Sequence, residues 1–156
     1  MAVRVSQQRD HVVMTDNVKL ISMILLSVSL FFSILFFTAF QIIKSAGEIG
    51  VDGDNSMLFV FLVTMATLTV AVIAMEFYHV RHRALAMFKY AVIVGNAAIV
   101  GLVINELTKG YDDIFGTTND IQSVTMYTYA ALATGFAGIG TLLGVLHNFH
   151  GIMGAV

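Results

Sequence analysis

Four long apolar blocks dominate this chain and restrict what it can fold into. They cover approximately residues 20–43, 57–78, 84–107 and 124–146, and each carries at most one or two ionisable groups, near its ends. A helix needs about 20 residues to cross a hydrocarbon core about 30 Å thick, and every block is long enough. The blocks lack the polar–apolar alternation of barrel strands. Because backbone groups in lipid must be satisfied within the segment, the blocks predict helices.

The composition supports a chain that lies almost entirely within a membrane. Only 12% of the residues are charged and 58% are hydrophobic, whereas soluble domains carry about a quarter charged residues. The absence of cysteine excludes disulfides and thiolate chemistry, and the absence of proline removes the usual cause of helix kinks. We therefore expect an all-α integral membrane protein, one domain over residues 1–156, with four transmembrane helices in an up-down bundle after an N-terminal segment at 1–19.

The distribution of basic residues predicts the orientation. Four spans place both termini on one side, and six of the eight basic residues lie there. Lys44 and Lys109 lie on the other side. Positive charge is retained in the cytoplasm, so both termini are predicted to be cytoplasmic, in a cell or inner membrane. The lipid bilayer is one expected partner, and the net charge of −2 without a basic run argues against nucleic acid. The six basic residues on the side of the termini are Arg4, Arg9, Lys19, Arg81, Arg83 and Lys89.

Histidine placement is the most informative feature for function. All five histidines fall on the predicted cytoplasmic side: His11, His79, His82, His147 and His150. The second and fourth blocks are each followed directly by a His-x-x-His pair on the same helix, whose two imidazoles can lean toward one site. Both blocks run toward the same membrane face, so the two pairs can meet there. Glu76 shares a helical face with His79.

Two kinds of cofactor fit these residues. Facing imidazoles suit a haem b iron, for which His79 and His147 are the candidate ligands. Imidazoles with a carboxylate suit zinc, copper or non-haem iron. The alternative is that these histidines contact lipid headgroups or other subunits, since histidine can snorkel at an interface. No residue is assigned a catalytic role. The candidate metal ligands are Glu76, His79, His82, His147 and His150.

Small and polar residues within the spans predict helix packing. Gly140 and Gly144 form a G-xxx-G pair, and Ala133 and Ala137 form a second small-xxx-small pair. Such faces let another helix approach closely, or leave room for a flat porphyrin. Asn96, near the middle of the third block, is expected to form an interhelical hydrogen bond or to contact a ligand. Hydroxyl groups in the spans are expected to bond to their own helices, at Ser27, Ser29, Ser33, Thr64, Thr67 and Thr69.

In outline, the four spans and the histidine placement resemble the small membrane subunits of respiratory and other redox complexes, and four-helix cytochrome b anchors. This resemblance implies an accessory subunit of an oxidoreductase-type complex, assembled with other membrane subunits and holding a structural or cofactor-binding role. The alternative is a self-contained haem b, copper, iron or zinc redox protein. A small oligomeric transporter or channel is a third hypothesis, disfavoured by the lack of a discontinuous-helix signal.

Overall fold

Four α-helices make up nearly all of the structure. The computed structural model describes residues 2–45, 54–77, 83–108 and 120–154, with side chains at 17–42, 45, 57–76, 85–108 and 124–148. All of the described residues except Thr108 are helical. The helices are α1 (Ala2–Ser45), α2 (Asp54–Phe77), α3 (Arg83–Leu107) and α4 (Asp120–Gly154).

Each helix contains a stretch that is long and apolar enough to cross a membrane. These stretches are Asn17–Ile42, Met57–Glu76, Leu85–Leu107 and Val124–Asn148. The predicted fold class, an all-α membrane protein with four spans, is thereby confirmed. α1 is longer than its span and is helical from Ala2, through most of the segment that the sequence analysis set apart at 1–19. Its 44 residues correspond to about 66 Å of helix.

The helices form an antiparallel ring. Each packs against the next one along the chain, and α4 closes the ring against α1 in the most extensive of these contacts. The hydrogen bonds between α1 and α4 show their relative direction: Ser22 bonds to Gly140, whereas Ser29, further along α1, bonds to Ala133. As α1 advances, α4 therefore runs back, which is the up-down arrangement expected from short connections.

The core follows a seven-residue repeat on every helix. Buried positions are separated alternately by four and three residues, the spacing of side chains that interdigitate in four-helix bundles. Three further residues, Glu106, Thr134 and Thr141, are buried beside these positions, and most of the other described side chains are partly or fully exposed. The repeat positions are Ser22, Leu26, Ser29, Ser33, Phe36 and Phe40 on α1; Leu58, Leu62, Met65, Thr69 and Val72 on α2; Ile93, Asn96, Val100, Val103 and Leu107 on α3; and Met126, Ala130, Ala133, Ala137, Gly140 and Gly144 on α4.

The two ends of the bundle differ in chemistry. At one end, which we call the aromatic end, Phe40 packs against Phe59 with ring centroids 4.8 Å apart, and Phe37 contacts the same ring edge-on at 5.5 Å. The other end, which we call the basic end, carries Lys19 and Lys89. The core therefore changes from packed aromatic rings at one end of the bundle to an ion-pair cluster at the other.

Close contact between α1 and α4 depends on small residues of α4. A Cβ atom added to Gly140 would lie 3.0 Å from Leu26 Cγ and 3.2 Å from Leu25 Cβ. This proximity lets the Ser22 hydroxyl donate a hydrogen bond to the Gly140 carbonyl oxygen at 2.7 Å. Ser29 likewise donates to the Ala133 carbonyl oxygen at 2.7 Å. The expectation that Ser29 bonds to its own helix is therefore wrong. The small residues of α4 allow a close approach, so that the Ala133 carbonyl oxygen lies within hydrogen-bonding distance of the Ser29 hydroxyl.

Candidate functional site at the basic end

Glu76 is a buried carboxylate at the basic end of the core. It lies four residues after Val72 and so continues the seven-residue repeat of α2 into its last turn, with only 6% of its side chain exposed. Lys89 occupies the equivalent position on α3, four residues before Ile93. Charged residues thus take core positions at this end. An unpaired charge at such a site would be strongly destabilising, so the stability of the bundle depends on which groups pair with this carboxylate.

Two lysines from different helices pair with this carboxylate. Lys89 Nζ lies 2.9 Å from Glu76 Oε1, and Lys19 Nζ lies 3.6 Å from Glu76 Oε2. The lysines differ in exposure, with 13% of the Lys89 side chain accessible against 35% for Lys19. Lys89 is therefore the close, largely desolvated partner, and Lys19 the longer and more screened one. Together they join α1, α2 and α3 at one level.

This ion-pair cluster (Lys19, Glu76 and Lys89) was not anticipated from the sequence. The sequence analysis counted Lys19 and Lys89 only as positive charges near the ends of spans. The sequence signal that could have placed Lys89 inside is its spacing of seven residues from Asn96, the polar residue expected to face another helix. Two ammonium groups beside Glu76 also oppose the approach of a metal cation to this carboxylate, which weakens its candidacy as a ligand.

The histidines can be placed only in part. His147 lies in α4, three residues beyond Gly144, and its side chain is half-buried. Gly144 faces Ser22 and Ile93, so His147 lies about one helical turn further toward the basic end, as Lys19 and Lys89 do. His11 and His150 lie in helices, but their side chains are outside the described set, and His79 and His82 are outside the described residues altogether.

The predicted metal or haem site stays a prediction. Among the side chains that the structure describes, no group of three or more His, Cys, Asp or Glu is placed to hold a metal ion. Of the predicted ligands, only Glu76 and His147 belong to that set. The structure brings Glu76 together with lysines, and it places His147 in the same part of the bundle.

A second buried polar group lies at the centre of the bundle. The Asn96 side chain is fully buried, and its Nδ2 donates to Thr69 Oγ1 at 3.2 Å and to Thr141 Oγ1 at 3.3 Å. The Thr69 hydroxyl in turn donates to the Met65 carbonyl oxygen of its own helix. The amide therefore links α3 to both of its neighbours. This is the packing arrangement that an amide in a membrane span favours.

The remaining predicted packing residues all lie at the α1–α4 interface or in the core. Ala133 and Ala137 are fully buried, and Gly140 and Gly144 approach residues of α1. A further buried carboxylate, Glu106, lies near the aromatic end with 8% exposure. The sequence analysis did not single it out, although its position at the end of the third apolar block was a usable signal.

Comparison with known proteins adds no family to these observations. The chain matches no protein-family model, no curated protein and no solved structure. The features that bear on function are those of the chain itself: a bundle of four helices long and apolar enough to span a membrane, a buried ion-pair cluster at the basic end and an Asn–Thr link at the centre.

Proposed function

We propose that this chain is a structural subunit of a larger membrane complex. The observation that carries this proposal is how the interior polar groups are used. Ser22, Ser29 and Asn96 each bond to a neighbouring helix, and Glu76 is paired to lysines from two others. These groups hold the bundle together.

The form of the chain supports dependence on other subunits. Apart from Thr108, every described residue belongs to a helix that contains a membrane span. The outward faces of these helices carry large apolar side chains, such as Phe31, Ile34, Phe88 and Leu142, each more than half exposed. Such faces suit lipid or the apolar helices of partner subunits equally well. The cytoplasmic histidines would then lie at the edge of a subunit contact.

The second candidate function is cofactor binding within a redox complex, and His147 favours it. This imidazole is half-buried one turn beyond Gly144, in the part of the bundle where the sequence places the His79 pair. We keep His79 and His147 as the candidate ligands of a haem b or transition metal ion. His82, His150 and Glu76 complete the candidate metal set, with Glu76 the weakest member because of its lysine partners.

Native mass spectrometry tests both candidates in one preparation. The chain would be tagged, expressed in its native membrane and extracted in a mild detergent. We expect one or more partner proteins at fixed stoichiometry. Recovery of the chain alone, as a monomer or a homo-oligomer, would overturn the complex-subunit proposal. Metal analysis and an absorption spectrum of the same sample report any cofactor, and ion flux in liposomes would reveal a channel or transporter instead.

A further inference from the structure

The ion-pair cluster contains more positive than negative charge. Among the described side chains it holds two ammonium groups and one carboxylate, at Lys19, Lys89 and Glu76. Lys89 is the closer partner and by itself neutralises the carboxylate. Lys19, at 3.6 Å and 35% exposed, supplies the second positive charge at the surface of the bundle. An ammonium group has three donors, so Lys19 can bind an anion while it stays beside Glu76.

An apolar groove on the outer face of α1 begins one turn from this lysine. The groove is shallow and open, has a volume of about 360 Å³ and is lined by residues of α1 alone: Met23, Ile24, Ser27, Val28 and Phe31. The Ser27 hydroxyl donates to the Met23 carbonyl oxygen of its own helix, so this polar group is already satisfied. Lys19, Met23 and Ser27 follow one another at four-residue spacing, along one row of the helix surface.

The dimensions of the groove fit one membrane leaflet. From Met23 to Phe31 the helix rises by about 12 Å, and one leaflet is about half of a 30 Å hydrocarbon core. The groove lies within the span Asn17–Ile42, and Lys19 lies at the start of that span. The surface therefore combines a cation at the start of the span with a shallow apolar groove that extends along α1 for about the depth of one leaflet.

We propose that Lys19 and this groove form a binding site for an anionic phospholipid. The Lys19 ammonium group binds the lipid phosphate, and one acyl chain lies along Met23, Ser27 and Phe31. The reason for choosing an anionic lipid is charge complementarity: a zwitterionic headgroup brings its own cation and cannot offset the extra charge of the cluster. Basic residues at a membrane surface attract anionic lipids, and the attraction weakens as salt is added.

The direct test compares two lipids on the purified chain. Phosphatidylglycerol and phosphatidylcholine with identical acyl chains would be mixed with the protein in detergent, and bound lipid counted by native mass spectrometry. We expect about a fivefold preference for phosphatidylglycerol, the size expected for one basic residue at a membrane surface. Equal retention of the two lipids would overturn the proposal. Inorganic phosphate that displaced the lipid as effectively as free phosphatidylglycerol would also overturn it and indicate a small-anion site.

Two variants with opposite expected effects show whether the lipid preference depends on the positive charge of Lys19 or only on an intact bundle. Lys19→Gln leaves the 2.9 Å pair of Glu76 and Lys89 intact and should abolish the preference. Glu76→Gln leaves two lysines without a carboxylate and should keep or increase it. A preference that survived Lys19→Gln, or that disappeared in a folded Glu76→Gln protein, would contradict the role of the excess charge.

The groove has its own matched pair of variants. Ser27→Phe fills the groove and should reduce retention of phosphatidylglycerol at least threefold, because the phenyl ring occupies the space proposed for the acyl chain. Thr38→Phe is the control, since Thr38 is also exposed on α1 and bonded to its own helix but does not line the groove. Equal retention by the two variants would show that the headgroup binds without the groove, contrary to the proposal.

Discussion

Individual polar residues contribute to this bundle by joining helices. Glu76, Asn96 and Ser22 each sit at a position of the core repeat that an apolar residue could fill, and each contacts a side chain or carbonyl of another helix. In lipid, apolar surface alone gives helices little reason to associate, so such bonds and close packing supply the specificity. The contribution of each contact to the free energy of unfolding should increase as the partner side chain becomes less exposed.

The two lysines of the ion-pair cluster should differ in their effect on stability. Lys89→Met removes the close, buried partner of Glu76 and should lower the free energy of unfolding by about 3–5 kcal/mol. Lys19→Met removes a longer and more exposed contact and should cost less than about 1 kcal/mol. Circular dichroism during unfolding in mixed micelles would measure both. If the two variants lost equal stability, Lys89 could not be the principal partner.

The central amide should be coupled to Thr141. Asn96→Ala and Thr141→Val each remove one side of their hydrogen bond, and the double variant should be more stable than the sum of the single losses predicts. We expect a coupling of about 0.6 kcal/mol and not above roughly 1.7 kcal/mol, as measured for hydrogen bonds in membrane proteins. The corresponding cycle with Thr128, an exposed threonine bonded to Val124, should give no coupling.

At the scale of elements, Gly140 is the small residue of α4 that approaches α1 most closely among the described glycines. Gly140→Leu should lower stability by roughly 1–3 kcal/mol, because even its Cβ atom would lie 3.0 Å from Leu26 Cγ. Gly135 is the matched control: it is exposed on the same helix, and a Cβ atom there would have no neighbour within 4 Å. Gly135→Leu should be neutral or slightly stabilising, since leucine favours helix more than glycine does. Comparable losses in both variants would assign the effect to glycine itself and not to the interface.

The helices were predictable from the sequence, whereas their contacts were not. Apolar length depends only on local composition, so the four spans and the burial of small residues on α4 follow from the sequence directly. The partner of Glu76 depends on which faces of three helices meet. The sequence analysis placed Glu76 only beside His79, its near neighbour along the chain, as a candidate metal ligand. The structure provides Lys19 and Lys89, distant in sequence but on facing repeat positions.

For the whole molecule, the first prediction is its orientation in the membrane. The chain contains no cysteine, so a single introduced cysteine reports one position. Because six of eight basic residues lie on the side of the termini, Gln7→Cys should react with an impermeant thiol reagent only from the cytoplasmic side, and Asp52→Cys only from the opposite side. The reverse labelling pattern would invert the assignment and place the ion-pair cluster at the outer leaflet.

The last prediction concerns cofactor binding by the assembled molecule. His147 lies one turn beyond Gly144 and is half-buried, and neutral imidazole is a ligand for haem iron and for transition metals. His79 closes the second span on the same predicted side and is its expected counterpart. In the complex purified with its native partners, we expect bound haem or metal, detected by absorption spectroscopy and metal analysis. His147→Ala or His79→Ala should remove it, whereas His11→Ala, outside the spans, should retain it. Native complex that contained neither haem nor metal in this chain would falsify the ligand role and leave the histidines as contacts to lipid or to partner subunits.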